Sequence, residues 1–373
     1  METADAVIAG AGIIGLSLAL DLAAHGLRVI VLERGQAMNE ASWAAAGMLA
    51  AHDPDNPAQI RELAELSLRL YPAYLETVER LSARRVPIRA HSALQAIHPD
   101  PVRESPRTLT SAEVRNLVPG INPGHLESLL LDEPSLDPRD LCAALPLAAQ
   151  GAGVELREKT PVVSIDTGAD KQVIVQTPAN PIAAAHFVNC AGAWADFPAL
   201  SLSTDRPLGV TPCKGQITTV RLRGPGALTH VLRTPGIYLV PRGDGRITIG
   251  ATAEHSGFDK TVEPAAIARL LAAAAALWPP IADAEILESW AGLRPASNDQ
   301  LPLLGPLMNQ NGAHPNRWVA TGHFRNGILL APATARVLSQ AIRGQAREID
   351  LAPFDPARIP LKNAAEIPIP SPA

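Results

Sequence analysis

The stretch DAVIAGAGIIGLSLALDLAAHGLRVIVLE, residues 5–33, decides the fold. It predicts a short apolar strand, a glycine turn, a helix and a second strand that ends at Glu33. Gly10 permits the tight turn, Gly12 lets the backbone approach a pyrophosphate, and Gly15 lets the helix pack close to the sheet. Glu33 can accept hydrogen bonds from ribose hydroxyls and would repel a 2′-phosphate. The sequence therefore predicts a dinucleotide site and disfavours NADP.

Length and charge limit the remaining possibilities. The 373 residues are 47% hydrophobic, enough for two folding units, and carry a net charge of −5 with both signs interspersed, which argues against nucleic-acid or anionic-membrane partners. No stretch reaches the roughly 18 apolar residues of a membrane helix, and the N-terminus lacks the basic residues of a signal peptide. We therefore expect a cytoplasmic protein with a small-molecule partner. Cys142, Cys190 and Cys213 lack metal-ligand spacing, so we predict reduced core cysteines and no metal site.

The rest of the chain predicts a second domain. Apolar residues at helical spacing from 56 to about 83 indicate a long helix, and repeated short strand patterns over 207–252 indicate a strand-rich insert. The predicted fold class is α/β: a Rossmann-type dinucleotide domain with a strand-rich (α+β) substrate domain built from discontinuous segments. The predicted boundaries are 1–83, 136–205 and 286–350 for the dinucleotide domain, 84–135 and 206–285 for the substrate domain, and 351–373 for a Pro-rich tail, disordered from about Pro353.

Four further motifs carry a resemblance to a known family. ASWAAAGMLA (41–50) follows the dinucleotide motif, VNCAGAWA (188–195) ends a strand, and WAGLRP (290–295) and GHFRNGILLAPATA (322–335) lie in the C-terminal third. Together with GAGIIG they resemble the glycine oxidase branch of the D-amino-acid-oxidase-like flavoproteins. The resemblance implies FAD as the cofactor. We expect it to be non-covalent, since no cysteine follows residue 290 to form the flavin link of the related sarcosine oxidases.

The sequence and the resemblance together give a set of cofactor residues. From its residue type, Ser42 could cap a helix while bonding a diphosphate oxygen. The resemblance places Val162 and Val163 near the adenine, and the helix after the GHFRNG turn can direct its positive N-terminus at the flavin. The predicted cofactor residues are Gly10, Gly12, Ile13, Ile14, Gly15, Glu33, Arg34, Ser42, Ala46, Gly47, Met48, Val163, Ala191, Gly192, Trp194, His323, Arg325, Asn326, Gly327 and Ile328.

The resemblance also assigns catalytic residues. Arg294 offers a planar fork for a carboxylate, although on sequence alone Arg294 and Arg325 could equally be surface residues in salt bridges. The resemblance gives Arg294 and Tyr238 the substrate carboxylate, gives Arg325 an active-site role, and places Met48 and Ala50 beside the substrate. It implies oxidative deamination of glycine or another small amino acid by O2 to the oxo acid, ammonia and H2O2, serving thiazole formation for thiamine.

Several functional alternatives stay open on sequence alone. Gly236 stands where family members can carry a histidine, so substrate preference could differ. A D-amino-acid dehydrogenase, a sarcosine-type oxidase and a non-catalytic FAD-binding protein are the competing functions. The resemblance also implies a homo-oligomer, such as a tetramer.

Overall fold

The computed structural model describes residues 1–97, 108–122, 124, 126–168, 172–201, 207–223, 227–309 and 312–358. Helices and strands are numbered along the chain. The helices are α1 Ile13–Ala24, α2 Ala41–Ala44, α3 Arg61–Ser82, α4 Ser111–Leu117, α5 Pro138–Gly151, α6 Pro264–Leu277 and α7 Gly327–Ile342. The strands are β1 Glu2–Ala9, β2 Val29–Leu32, β3 Ile88–Ala90, β4 Ala93–Ile97, β5 Glu127–Leu131, β6 Ser135–Leu136, β7 Glu155–Arg157, β8 Ser164–Thr167, β9 Val173–Gln176, β10 Ile182–Asn189, β11 Thr211–Arg221, β12 Val231–Arg233, β13 Tyr238–Pro241, β14 Arg246–Gly250, β15 Glu285–Ala296, β16 Leu303–Asn309 and β17 Gly312–Thr321.

The first sheet brings distant motifs to one edge. Its strand order is β16-β17-β10-β1-β2-β7, with β9 paired to β10 and β8 to β9. Strand β1 runs parallel to both β2 and β10, and Ala9 lies in register with Leu32 on one side and Asn189 on the other. Because parallel strands end at the same edge, the segments that follow these three residues meet there. This architecture confirms the predicted α/β class.

The glycine turn packs against the end of β10. Gly10 has a φ of +104°, and a Cβ there would lie 2.5 Å from the Cys190 carbonyl oxygen. A Cβ on Gly15 would lie 2.0 Å from the Gly10 carbonyl oxygen. Both positions therefore require glycine for protein packing alone, before any ligand is considered.

The second sheet has the strand order β15-β11-β14-β13-β12-β4-β5. Strand β15 pairs antiparallel with β11, with Cys213 opposite Arg294 and Gly215 opposite Gly292. The prediction placed residues 286–296 in the dinucleotide domain, but the structure places them in this second sheet. These residues therefore pair with strands of the predicted substrate domain, because β11 satisfies the backbone hydrogen bonds of β15.

The largest hydrophobic core packs α1, α3, α5 and α7 against the first sheet, and a second core lies between α6 and the second sheet. Helix α3 begins after a 3-10 turn at Ala58–Ile60, close to the predicted start. Within the described residues, no helix is long and apolar enough to cross a membrane.

The segment after α7 belongs partly to the main core. Leu351 and Phe354 are buried there, and the Arg358 guanidinium bonds the Asp299 carboxylate. The expectation of disorder from about Pro353 is therefore wrong for residues 353–358, because Phe354 buries its ring against the sheet-and-helix core. Residues 359–373 of the predicted tail lie outside the described residues.

Candidate active site

A cavity of about 660 Å3 lies where the carboxyl edge of the first sheet faces the second sheet. Segments from both sheets line it, together with the run after β2 and the start of α7. The predicted site residues that line it are Gly10, Gly12, Ile13, Ile14, Glu33, Arg34, Ser42, Ala46, Gly47, Met48, Ala50, Ala191, Gly192, Trp194, Tyr238, Arg294, His323, Arg325, Asn326, Gly327 and Ile328.

The N-terminus of α1 forms a cradle at one end of this cavity. A Cβ on Gly12 would meet only Ser42 Oγ, at 3.4 Å, so this glycine is open toward the cavity rather than packed against protein. The Ile13 N–H donates to Ser42 Oγ over 2.9 Å. Ser42 itself lies inside α2, but its hydroxyl accepts the N–H of the first residue of α1. It therefore caps α1 and not the helix to which it belongs. The arrangement suits a phosphate group at a helix N-terminus.

Glu33 is fixed beside this cradle. Its Oε2 accepts the Ala11 N–H over 2.9 Å, and its Oε1 accepts the Gly35 N–H over 2.8 Å. Each carboxylate oxygen keeps a lone pair, so Glu33 can still accept hydroxyl donors from a ribose. Next to it, the Arg34 guanidinium stacks 4.0 Å from the centre of the Trp194 ring. Glu33 therefore presents an acceptor to the cavity, and Trp194 presents an aromatic ring beside it.

Two predicted cofactor positions have different surroundings from those expected. Gly15 does not line the cavity, in keeping with its packing role against Gly10. Val163 also does not line it: its side chain is 56% exposed, while its neighbours Pro161 and Val162 face the cavity. Of the two valines expected near the adenine, Val162 therefore lines the cavity, whereas the side chain of Val163 does not.

Gly47 is required by protein packing. It has a φ of +80°, and a Cβ there would lie 2.1 Å from the Leu136 carbonyl oxygen. The neighbouring Ala46 carbonyl accepts a hydrogen bond from Arg242 Nη1 over 2.9 Å, and the same nitrogen donates to Leu136. The buried Arg242 therefore holds the run after β2 against the second sheet, so that Met48 and Ala50 face the cavity.

Arg294 and Tyr238 lie close together in the wall of the same cavity. Arg294 Nη1 donates to the Thr252 carbonyl over 3.0 Å. Gly215 provides the space for its guanidinium, since a Cβ there would lie 2.3 Å from Nη2. Gly250 does the same for Tyr238, whose hydroxyl oxygen would lie 2.4 Å from an added Cβ. Neither glycine was predicted, because its requirement comes from a side chain on a neighbouring strand.

The charge state of this pair suits an anion. Burial raises the pKa of Tyr238, and the nearby Arg294 and Arg242 only partly oppose that shift. The phenol therefore stays protonated at neutral pH and can donate, beside a guanidinium that is always charged. A cation beside a neutral donor on one cavity wall can act as a clamp for a small carboxylate.

Arg325 lies in a network of charged and amide side chains. Its Nη2 lies 3.6 Å from Asp53 Oδ2 and donates to Asn56 Oδ1 over 3.3 Å. Asn56 also accepts from the Asn326 amide and donates to the Ala50 carbonyl. Arg325 thus lines the cavity and also forms a salt bridge, the alternative that sequence alone did not exclude.

A second arginine extends this network and was not predicted. Arg233 is 4% exposed, bonds Gln95 Oε1 over 2.6 Å and the Glu133 carboxylate, and lies 3.9 Å from Asp53. Asp53, Gln95 and Arg233 all line the cavity. The sequence gave no signal for this network, because Arg233 and its three partners come from four separate segments of the chain.

His323 is buried under the start of α7. Its Nε2 pairs with Thr334 Oγ1 over 3.1 Å, and burial lowers its pKa to about 3. Cys190 also lines the cavity, and burial raises the pKa of its thiol. Both side chains are therefore neutral at physiological pH, as expected for Cys190.

The buried His323 predicts a specific acid sensitivity. In the unfolded chain this histidine binds a proton below pH 6.5, whereas in the folded chain it stays neutral until the pH falls to about 3. The stability that neutral His323 contributes is thus complete above pH 6.5 and is lost as the pH falls, with a slope approaching about 1.4 kcal/mol per pH unit. In urea unfolding between pH 7 and 4, His323→Gln should flatten the pH dependence by nearly one proton. Equal slopes for the two proteins would contradict this account.

Comparisons with known proteins agree with this geometry. A family model described as DAO, FAD dependent oxidoreductase, matches residues 5–341. The chain is 36% identical over 374 residues to the glycine oxidase of Pseudomonas aeruginosa, covering 94% of this chain and 98% of that protein. It is 34% identical to the bifunctional protein ThiO/ThiG of Nostoc sp., covering 98% of this chain and 57% of that longer protein. The crystal structure of glycine oxidase from Geobacillus kaustophilus matches with a TM-score of 0.88 at 30% identity, covering 96% of this chain and 100% of that chain.

These similarities confirm the resemblance seen in the motifs and FAD as the cofactor. The open cradle at Gly12, the remaining acceptors of Glu33 and the volume of the cavity fit that dinucleotide. Because the family model matches most of its length, the chain belongs to the family of FAD dependent oxidoreductases that the DAO model describes.

Proposed function

We propose that this protein oxidises glycine or another small amino acid with O2, giving the oxo acid, ammonia and H2O2, and that it serves thiazole formation for thiamine. The observation that carries the proposal is the clamp of Arg294 and Tyr238 in the cavity that also contains the dinucleotide cradle. Similarity to proteins named glycine oxidase and ThiO/ThiG supports the substrate and the pathway.

In the proposal, five separate segments of the chain bind FAD. Gly12, Ile13 and Ser42 hold the diphosphate, and Glu33 accepts the ribose hydroxyls. The adenine lies beside Pro161 and Val162, and the start of α7 lies at the flavin. Binding is non-covalent, and the helix N-terminus favours negative charge in the reduced ring. The bound FAD supplies a hydride acceptor and the means of passing electrons to oxygen.

The clamp orients the substrate. Arg294 binds the substrate carboxylate as a planar donor and Tyr238 adds a neutral hydrogen bond, so that the Cα–H bond is held in one direction. The amino group enters the reaction as the free amine and is selected by backbone carbonyls of the cavity. Met48 and Ala50, held by the Arg242 contacts to their segment, border the substrate and limit water. Catalysis then depends on orientation more than on a side-chain base.

The preferred substrate depends on the rim of the clamp. Gly236 is exposed, lines the cavity, and has no heavy atom within 4 Å of where a Cβ would stand. The proposal therefore includes sarcosine and small D-amino acids beside glycine. A homo-oligomeric state and a cytoplasmic location also belong to the proposal and rest on the resemblance and the composition.

Mixing the purified holoprotein with glycine tests the function directly. Without oxygen, the flavin absorbance near its visible maximum should bleach, because substrate electrons remain on the cofactor. In air, H2O2 should form in a one-to-one ratio with consumed glycine. Bleaching without peroxide would indicate a dehydrogenase, and faster bleaching by sarcosine a sarcosine-type oxidase. No bleaching by any small amino acid would overturn the proposal.

Arg294→Ala separates a substrate clamp from a structural arginine. The flavin should stay bound while kcat/KM for glycine falls by about two to four decades, because the carboxylate loses its charged partner. Arg294→Lys should recover only part, since an ammonium cannot form the planar fork. Arg221→Ala, an exposed arginine on the neighbouring strand β11, is the control. Glycine turnover within a few-fold of wild type in Arg294→Ala would remove the basis for the proposed clamp.

Gly12→Val tests the cradle. Its side chain would extend into the cavity and take the place of the diphosphate, so the variant should purify without FAD. Since the first added atom meets only Ser42 Oγ at 3.4 Å, the melting temperature of the apoprotein should change little. A yellow variant with full FAD occupancy would refute this placement.

A further inference from the structure

Helix α7 contains a gap in its hydrogen-bond ladder one turn from the cavity. Pro332 lies inside the helix and has no N–H, so the Ile328 carbonyl receives no donor from it. Gly327 and Ile328, the first residues of the helix, line the cavity. A helix interrupted at this place would be free to tilt its first turn, since a proline removes a bond and crowds the preceding carbonyl.

Helix α3 closes the gap with two hydroxyl groups. The Tyr71 hydroxyl donates to the Ile328 carbonyl. Ser67 Oγ donates to the Leu329 carbonyl over 2.6 Å and accepts the Ala333 N–H over 3.2 Å. Ser67 thus stands between the two groups that an uninterrupted helix would join directly.

Both hydroxyls are bound away from water, which makes the arrangement rigid. Ser67 is 0% exposed and Tyr71 is 3% exposed. Burial raises the pKa of Tyr71, so its hydroxyl remains a donor throughout the working pH range. A buried carbonyl without a donor costs about 1–3 kcal/mol, so the first turn of α7 is stable only in the orientation that reaches both hydroxyls.

We propose that Ser67 and Tyr71 are positioning residues that fix the first turn of α7 against the FAD ring and thereby set the affinity of that ring for negative charge. The inference rests on the proposed placement of the flavin at the start of α7. Neither residue touches the cavity. They act through Ile328 and Leu329, whose turn carries the partial positive charge of the helix N-terminus.

Sulfite binding and potentiometry on the holoprotein test this role. Sulfite adds to oxidised flavin and places negative charge on the ring, so its Kd reports the stabilisation by α7. Tyr71→Phe and Ser67→Ala should each weaken sulfite binding by about tenfold and lower the two-electron potential by about 30 mV, the equivalent of tenfold for two electrons. Values within twofold and a few millivolts of wild type in both variants would overturn the proposal.

Tyr74→Phe is the matched control. Tyr74 lies on the same helix, is edge-on to Tyr71 at 5.8 Å between ring centres, and pairs its hydroxyl with Ser17 of α1 rather than with α7. Its loss should lower thermal stability while leaving sulfite Kd and potential within twofold and a few millivolts of wild type. An equal shift in Tyr74→Phe would show that loosening α3 in general is responsible and would also overturn the proposal.

Pro332→Ala provides the second test, because it restores the missing N–H. In that background the Ile328 carbonyl has a donor within its own helix, so Tyr71→Phe should change sulfite Kd by less than twofold. A full tenfold effect there would contradict the inference. This double variant also serves if Tyr71→Phe alone does not retain FAD. Neither measurement uses glycine, so inactivity toward amino acids refutes the proposed substrate without affecting this test.

Discussion

The contact between the glycine turn and the end of β10 is the constraint on which the rest of the structure depends. Gly15 against the Gly10 carbonyl, and Gly10 against Cys190, leave no room for a side chain at either glycine. This contact brings α1 close to the sheet while Ala9, Leu32 and Asn189 end in register. The open side of the same turn is what remains for a dinucleotide. Protein atoms occupy the space beside the Cα atoms of Gly10 and Gly15, whereas the space beside Gly12 is open toward the cavity. Packing within the protein and binding of the cofactor therefore place opposite requirements on neighbouring glycines.

The substrate end uses the same principle in the second sheet. Gly215 and Gly250 make slots for the guanidinium of Arg294 and the hydroxyl of Tyr238 on adjacent strands. Extended strands fix the direction of both side chains, and the two glycines leave space for them beside the neighbouring strand, where both line the cavity. The protein's own packing thus holds both side chains in place, which is the condition for orientation to contribute in the proposed reaction.

Connections between the two sheets hold the halves of the site in register. Arg242 binds the Ala46 carbonyl from the second sheet, and Asn56 joins the Ala50 carbonyl to the turn before α7. Ser67 and Tyr71 complete the interrupted start of α7. Each connection is a polar side chain that satisfies a backbone carbonyl, and such carbonyls occur wherever irregular segments or a proline leave the ladder incomplete. None of these connecting side chains lines the cavity, so its walls are held in place by groups behind them.

The sequence by itself determined the elements whose signals are local. The order of strand, glycine turn, helix and acidic strand end predicted the dinucleotide cradle, and the family resemblance of the motifs indicated Arg294 and Tyr238. Only the tertiary structure decided that β15 belongs to the second sheet, that Ser42 caps α1 and that Val162 rather than Val163 faces the cavity. It also decided that Gly215 and Gly250 make room for Arg294 and Tyr238, and that Ser67 and Tyr71 bond the start of α7. The physical reason is the same in each case. A turn imposes its requirement on residues a few positions apart, whereas strand partners, helix caps across segments and slots for side chains are set by residues that meet only after the chain has folded.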